Sequence, residues 1–402
     1  MNILFLTVVK IKSLEEGGIF PDLLRKFRDE GHKVFVMSPT ERRDKLKTHL
    51  IEENNTKILK VKTLNIQKAN LIEKGFATLA IEGQYLRALK SNFSEEKFDL
   101  VLYSTPPITF SKVIDYVKRK DGAFSYLLLK DIFPQNAVDM AMIKKGSILH
   151  RIFEKKEKKL YQISDKIGCM SKANVDFIVN NNPEIDISKL EINPNSIIPR
   201  GKGISEDEAE DIKRKYGLPL DKKIFVYGGN LGKPQGLSFL IQTINEIKDE
   251  NIFFLVVGSG TRYNYIKSFF DSNDPKNAKL LRGLPKKDYD KLLSACDVGM
   301  IFLHKDFTIP NFPGRLLSYL EMKMPIIAAT DPNTDVGEVI EKNNCGYWLE
   351  SGDIVAMKKA ITNIISDKSR YIEMKENAWK LLKDEYTVDR SYKLIVSKVK
   401  NV

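Results

Sequence analysis

The chain has 402 residues, 42% of them hydrophobic, and a formal net charge of +12. That length and apolar share predict about two domains with substantial cores. No apolar run approaches the roughly 18 residues of a membrane span, "MNILFLTVVK" lacks the basic region and cleavage site of a signal peptide, and three scattered cysteines (Cys169, Cys296, Cys345) without CxxC spacing argue against a structural zinc site or a disulfide framework, so the expected location is the cytoplasm.

From the amino end, "NILFLTV" predicts a strand, a helix starting near Phe20 or Pro21 presents Leu23, Leu24 and Phe27, and "KVFVMSP" predicts a second strand. This is a βαβ unit. Gly17 and Gly18 lie on the carboxyl side of its first strand, where open α/β sheets place ligands and where glycine lets a backbone approach closely. Residues 65–91 predict an amphipathic helix with Ile66, Leu71, Ile72, Phe76, Leu79, Ile81, Tyr85 and Leu86 apolar. Strands follow at "FDLVLYSTPP" and "AFSYLLLKDIFP", with a helix between them.

The segment "KKGSILHRIFEKKEKKLYQ" (144–162) sets seven Lys/Arg against two Glu, interleaved with Ile148, Leu149, Ile152, Phe153 and Leu160. A helix of this pattern fits an anionic membrane surface, and it equally fits a helix packed on its own core. Nucleic acid is disfavoured by the lack of any RNA-binding aromatic pattern, zinc finger or basic zipper. Strand "KIGCMS" and a helix near "KANVDFIVN" come next. Both periodicities then lapse around Pro194 and Pro199, which predicts a domain boundary near 195–205.

The second half restarts with strand "KKIFVYGGN". It continues through strands "NIFFLVVGSG", "AKLLRGL", "VGMIFL", "PIIAAT" and "GYWLE" with helices between, and a helical tail from 370. Two consecutive domains with parallel sheets are expected. In "YGGNLGKPQG" (227–236) a glycine turn, Gly229 and Asn230 included, follows the strand. Its backbone N–H groups suit a diphosphate, with Lys233 as a point charge, although the spacing is not that of a Walker loop. In "IPNFPGRLLSYLEMKMPIIAATD" (309–331) Arg315 opens a short helix, where acids are preferred. An anionic ligand would resolve that conflict; so would solvent or a hidden carboxylate. His32, at a helix-to-strand corner, reads as structural, whereas His304 ends "VGMIFLH" just before Arg315 and is a candidate contact to the same ligand.

With these motifs in view, almost the whole chain resembles the family 4 glycosyltransferases. Within them it is similar to enzymes of bacterial lipopolysaccharide, O-antigen or capsule synthesis that transfer N-acetyl-L-fucosamine-like sugars. "GGNLGKPQG" resembles their donor-diphosphate loop, with Asn230 where many members carry arginine. "FPGRLLSYLEMKMPIIAATD" resembles their donor segment and puts Arg315 on the family lysine. "KDIFPQNAVDMAMI" resembles their acceptor segment, with Asp131 on its acid, Gln135 in place of a glutamate and Lys130 where relatives often carry histidine. The family's two acids eight residues apart fall at Pro310 and Ser318, so Ser318 is left to meet the ribose with a hydroxyl, and Glu338 in "DVGEVI" is the candidate to replace the lost acid.

The resemblance implies a GT-B fold, two Rossmann-like domains facing across a cleft. The expected parts are an acceptor-side domain over 1–198, a donor domain over 199–380 and a final helix, 381–402, bracing back toward the first. It implies a metal-independent, retaining hexosyltransferase that uses a UDP-sugar and holds no cofactor. The acceptor would be a sugar on undecaprenyl diphosphate, reached by peripheral association with the inner face of the cell membrane through the basic stripe at 144–159 and the apolar face of 65–89. Asp131, Lys233 and Arg315 are the expected catalytic residues. Gly17, Gly18, Gly229, Asn230, His304, Ser318 and Glu338 are expected on the donor, and Lys130 and Gln135 beside Asp131 on the acceptor. Two rivals share this layout, a nucleotide-sugar 2-epimerase and a catalytically silent membrane-associated subunit that binds nucleotide sugar.

Overall fold

A computed structural model describes residues 1–66, 71–201 and 203–399, with the side chains of residues 71, 72 and 74 left aside. The chain divides into two compact units, residues 1–198 with 387–402 and residues 199–386.

The first unit carries the strands β1 (Asn2–Leu6), β2 (Lys33–Glu41), β3 (His49–Glu53), β4 (Thr56–Thr63), β5 (Leu100–Ser104), β6 (Phe124–Leu129), β7 (Lys166–Cys169) and β8 (Leu190–Ile192). They form one sheet in the order β3-β4-β2-β1-β5-β6-β7-β8, parallel throughout except for the β3–β4 pair. Between them run α1 (Ile19–Asp29), α2 (Leu71–Asn92), α3 (Ser111–Asp121), α4 (Gln135–Asp139), α5 (Ile148–Ile163) and α6 (Lys172–Asn181). Strands such as β1 and β5 are continuous apolar runs because helices cover parallel sheets on both faces. Leu23, Leu24 and Phe27 of α1 enter the core with Ile3, Phe5 and Val34, the expected βαβ packing.

The β3–β4 hairpin was not expected. It turns on Asn54 and Asn55, both at positive φ (40° and 59°), and its outer strand is half exposed and rich in glutamate. The predicted helix over 65–91 is α2; residues 67–70 and the side chains of Leu71 and Ile72 lie outside the described residues. Its apolar residues divide between the core and the surface. Ile81, Tyr85 and Leu89 are buried in the unit's own core, which leaves only Phe76 and Leu79 exposed among its described large apolar side chains.

The second unit holds α7 (Glu206–Tyr216), β9 (Lys223–Asn230), α8 (Leu237–Glu246), β10 (Ile252–Ser259), α9 (Tyr263–Asn273), β11 (Ala278–Arg282), α10 (Lys286–Ser294), β12 (Val298–Phe302), α11 (Arg315–Glu321), β13 (Ile326–Thr330), α12 (Val336–Lys342), β14 (Gly346–Glu350), α13 (Ile354–Ser366) and α14 (Lys368–Glu385). Its six strands are all parallel, in the order β11-β10-β9-β12-β13-β14. Helix α7 escaped the sequence reading because it buries no residue and so has no apolar stripe; the Ser205/Glu208 capping box was its one legible signal. The last helix, α15 (Val388–Val399), belongs to the first unit, where Tyr392 meets Phe27 at 5.0 Å and Lys26 pairs with Asp389 at 2.5 Å. His32 joins this packing, 3.0 Å from the Tyr392 hydroxyl.

Among the parallel strands of each sheet the order reverses once, between β1 and β5 in the first and between β9 and β12 in the second. Ligands of open α/β sheets collect at the carboxyl ends of the strands flanking such a reversal.

Candidate active site

In the second unit the carboxyl ends of β9 and β12 are drawn together by buried aromatic side chains. The Tyr319 hydroxyl, on α11, lies 3.2 Å from the Val226 carbonyl oxygen and 3.1 Å from that of Met300, and it accepts from the Gly228 N–H at 3.3 Å. Gly228 has to be glycine, because a Cβ there would sit 1.8 Å from the Tyr289 hydroxyl. The chain then exposes Gly229 and Asn230 and forms a tight turn over Lys233–Gln235. Gly236 ends that turn at φ +53°, its would-be Cβ only 2.6 Å from the Leu303 carbonyl oxygen. Beside it the His304 N–H donates to the Pro234 carbonyl at 2.9 Å. The β9 turn and the end of β12 are therefore stitched together, with Lys233 exposed on the turn.

Arg315 points into this assembly. Its guanidinium lies 4.3 Å over the Tyr227 ring, and its Nη2 donates to Gln235 Oε1. Nη2 would also be 3.7 Å from a Cβ on Gly229. The Tyr227 hydroxyl donates to the Asn230 carbonyl oxygen at 2.8 Å and lies 3.3 Å from Gln235 Oε1, so ring, amide and guanidinium form one cluster. Nη1 is buried without a hydrogen-bond partner, and among the described residues no carboxylate pairs with Arg315. The hidden carboxylate that would have explained the arginine is absent there, and solvent exposure does not explain it either. An arginine stays charged in any protein setting, so this half-buried positive charge is uncompensated.

Ser318 stands three residues further along α11, on the same side as Arg315 and half-buried. The His304 ring holds its own turn, with Nδ1 accepting from the Asp306 N–H at 3.3 Å. Glu338 lies on the exposed side of α12 and pairs with Lys342 one turn on. A different acid, Asp331 at the end of β13, escaped the sequence reading. It is fully buried; Oδ1 accepts from the N–H groups of Asn333 (2.9 Å) and Thr334 (3.2 Å), while Oδ2 has no partner among the described residues. Burial raises its pKa to about 6. Its position just past a parallel strand was the available signal.

In the first unit Lys130, Asp131 and Gln135 gather at the carboxyl end of β6. The Thr105 hydroxyl, just past β5, accepts from the N–H groups of Lys130 (3.1 Å) and Asp131 (3.2 Å) and donates to the Asp131 carbonyl oxygen (2.9 Å). Asn136 Nδ2 donates to Asp131 Oδ2 at 2.8 Å, and Gln135 Nε2 donates to Asp139 at 2.7 Å along α4. Lys130 Nζ donates to the Asn193 carbonyl at 3.0 Å. Burial pushes its pKa down to about 7. Gly17 and Gly18 close the connection over residues 7–18 that leads from the carboxyl end of β1 to α1, and the Gly18 N–H donates to Asp22 Oδ1 at 3.3 Å across the start of α1.

Residues 208–381, most of the second unit, match the model of the family described as glycosyl transferases group 1. Across its full length the chain superposes on sucrose-phosphate synthase from Thermosynechococcus elongatus (TM-score 0.77, 13% identity, 98% of that chain). It also superposes on HepE of Anabaena, solved in complex with UDP (TM-score 0.71, 14% identity, all of both chains). The fold is GT-B. Among sequences, the chain is 22% identical to the probable glycosyltransferase WbjE of Pseudomonas aeruginosa over 74% of its length and 73% of that protein's. It is 24% identical to the putative colanic acid biosynthesis glycosyl transferase WcaI of Escherichia coli over 36% of each. Within this GT-B chain, the glycosyl transferases group 1 match contains the β9 turn, His304, Arg315, Ser318, Asp331 and Glu338.

Proposed function

We propose that the chain is a retaining glycosyltransferase that moves an N-acetylated hexose, deoxygenated or not, from a UDP-sugar to a sugar on a lipid diphosphate during surface polysaccharide synthesis. The observation that carries this reading is the guanidinium of Arg315, held by Tyr227 and Gln235 with Nη1 unpartnered and no carboxylate among its described neighbours. A diphosphate is a dianionic, planar-recognised partner for such a group, and Lys233 on the adjoining turn adds a second positive charge. The names of the sequence relatives support transfer to polysaccharide, and the UDP and UDP-glucose complexes of HepE support uridine as the nucleoside.

In the reaction the bond from the anomeric carbon to the diphosphate oxygen breaks and a bond from that carbon to the acceptor oxygen forms on the same face. The acceptor hydroxyl's proton passes to the leaving phosphate oxygen. Arg315 and Lys233 would stabilise the negative charge that grows on the diphosphate, charges already in place before the bond breaks. Asp131, its backbone fixed by Thr105 and one carboxylate oxygen held by Asn136, would orient the acceptor hydroxyl or meet the sugar's developing positive charge. Lys130 and Gln135 would line the acceptor. Gly17, Gly18, Gly229, Asn230, His304 and Ser318 would contact the donor, and Glu338 is kept as a donor candidate.

The test is turnover of a panel of UDP-sugars, UDP-N-acetyl-L-fucosamine included, with and without a short-chain lipid-diphosphate N-acetylglucosamine, read by mass spectrometry. UDP release that depends on acceptor, matched by one sugar gained on the lipid, is expected. An isomerised donor without acceptor would replace this reading with an epimerase. Binding without any turnover would replace it with a silent subunit.

A further inference from the structure

The connection over residues 7–18 has no helix or strand of its own. At its start the Thr7 N–H donates to the Met37 carbonyl oxygen at 3.2 Å, and the Tyr85 hydroxyl, buried on α2, donates to the Thr7 carbonyl oxygen at 2.7 Å. At its end the Gly18 N–H is held by Asp22. Fixing the two ends alone would leave the middle free to take many conformations.

Side chains of β2, β3 and β4 fix that middle. Ser38 Oγ, on β2, accepts from the Ile11 N–H at 3.0 Å, and Lys60 Nζ, on β4, donates to the Ile11 carbonyl oxygen at 2.7 Å and to Ser38 Oγ at 3.0 Å. Glu53, the last residue of β3, accepts on one carboxylate oxygen from the Ser13 hydroxyl at 2.8 Å and from the Leu14 N–H at 3.1 Å. With the backbone so placed, the side chains of Ile11 and Leu14 are buried in the core beside Phe5, Val36 and Ile58.

Neither Lys60 nor Glu53 is explained by its own strand. Lys60 is buried, burial lowers its pKa, and among the described residues it forms no ion pair. An apolar side chain of similar length would fill the space without desolvating a charge, so packing does not call for a lysine; the Ile11 carbonyl and the Ser38 hydroxyl do. A glutamate on an outer strand protects an edge from pairing when it faces water, but Glu53 is half-buried and spends one oxygen on the connection. What the two residues share is that connection. It leaves the carboxyl end of β1, a strand flanking the reversal in strand order, and ends at Gly17 and Gly18, the glycines that would contact the donor.

We infer that Lys60 and Glu53 are positioning residues of the transfer: they clamp the middle of the β1–α1 connection to β4 and to the β3–β4 hairpin, so that Gly17 and Gly18 stand in place before the donor arrives. The inference deepens the transferase reading and rests on it for what the glycines meet. Both side chains act through the backbone of the connection. The effect on rate is large because a misplacement of about 1 Å can cost on the order of 100-fold.

The experiment compares the full chain with its Glu53→Ala, Glu53→Gln and Lys60→Met variants by hydrogen exchange over residues 7–18, thermal melting, steady-state transfer from the best UDP-sugar, and UDP affinity. Glu53→Ala and Lys60→Met should each speed exchange over 7–18 by about tenfold and leave the strands β5 and β6 as protected as in the parent. Their kcat should fall by about tenfold or more, whereas UDP, which lacks the sugar, should bind as before. Glu53→Gln keeps an oxygen for Ser13 and Leu14 and should recover most of the rate and the protection. Lys60→Met trades a desolvated cation for an apolar chain and should melt close to the parent. Unchanged exchange over 7–18, or faster exchange with transfer intact, would overturn the inference. Faster exchange throughout the first unit, with transfer lost in step, would also overturn it by assigning both residues to stability alone. If the parent transfers no sugar, the transferase reading fails by itself; faster exchange over 7–18 in the variants would still establish the clamp, and unchanged exchange would remove that too.

Discussion

Arg315 and Lys130 are both basic side chains withdrawn from water near the carboxyl ends of parallel strands, yet the two units treat them oppositely. In the second unit the guanidinium is held by a ring face and an amide oxygen, neutral partners that leave its charge intact. In the first, the ammonium meets one backbone carbonyl, and burial lowers its pKa to about 7. An arginine cannot answer burial by losing its proton, but a lysine can. The second unit therefore keeps a permanent charge, and the first keeps an amine whose burial favours the neutral form.

The sharpest way to break this contrast is to remove the permanent charge. Arg315→Ala should lower turnover by on the order of 100-fold, the usual loss when one preorganised charge is taken from a developing anion. Arg315→Lys should recover only part of it, because a lysine cannot keep both the Tyr227 stack and the Gln235 bond. Steady-state rates with the best UDP-sugar, together with UDP affinity by calorimetry, check both. Unchanged UDP affinity in the alanine variant would remove Arg315 from the donor site. Asp131→Asn, on the acceptor side, should lower turnover by about tenfold or more while leaving UDP affinity intact.

Lys130 offers the complementary test. Its folded-state pKa lies below the value near 10.5 expected when unfolded, so the cost of holding its charge is fully present below pH 7 and fades as the pH rises from 7 toward 10.5. Lys130→Met should accordingly be stabilised relative to the parent at pH 6, by about 1–2 kcal/mol once partial solvent access and the lost bond to Asn193 are discounted. That advantage should shrink as the pH is raised through 8 and 9. Urea unfolding at these pH values measures it, and an advantage independent of pH would mean that Lys130 is charged throughout.

The parts of this contrast differed in how plainly the sequence announced them. Arg315 stood out because a base in the first turn of a helix runs against the local field, and the strand-turn-helix pattern placed it beside the Lys233 loop. Its actual partners, Tyr227 and Gln235, left no trace, since a stacked ring and a neutral amide satisfy no spacing rule. Lys130 and Asp131 became candidates through family resemblance alone; the shift on Lys130 comes from burial, which one residue's identity does not encode. The parallel strands were legible because burial on both faces makes them uniformly apolar, whereas the β3–β4 hairpin was hidden by the glutamates of its half-exposed outer strand. In α5 the apolar residues were read as one stripe, but a helical repeat divides them, with Phe153 and Leu160 inward and Ile148 and Ile152 outward.

The smallest expected effect separates Arg315 from its nearest alternative explanation, that a buried acid in the same unit balances it at a distance. Asp331 is the acid to test, being fully buried with Oδ2 unpartnered. If its charge served Arg315, the pairing would hold the carboxyl pKa low; instead burial raises it to about 6. A raised carboxyl pKa means the folded state binds the proton more tightly than the unfolded chain does, so stability falls as the pH climbs from about 4 to about 6 and the cost persists above that. Asp331→Asn keeps an oxygen for the Asn333 and Thr334 N–H groups and removes the charge. It should therefore stabilise the protein by about 1 kcal/mol at pH 7.5, allowing for the new amide's own unpaired hydrogens, and by nothing measurable at pH 4. UDP affinity should not move. A variant that is less stable at pH 7.5 and binds UDP differently would make Asp331 the missing counter-charge, and the isolation of Arg315 would no longer stand.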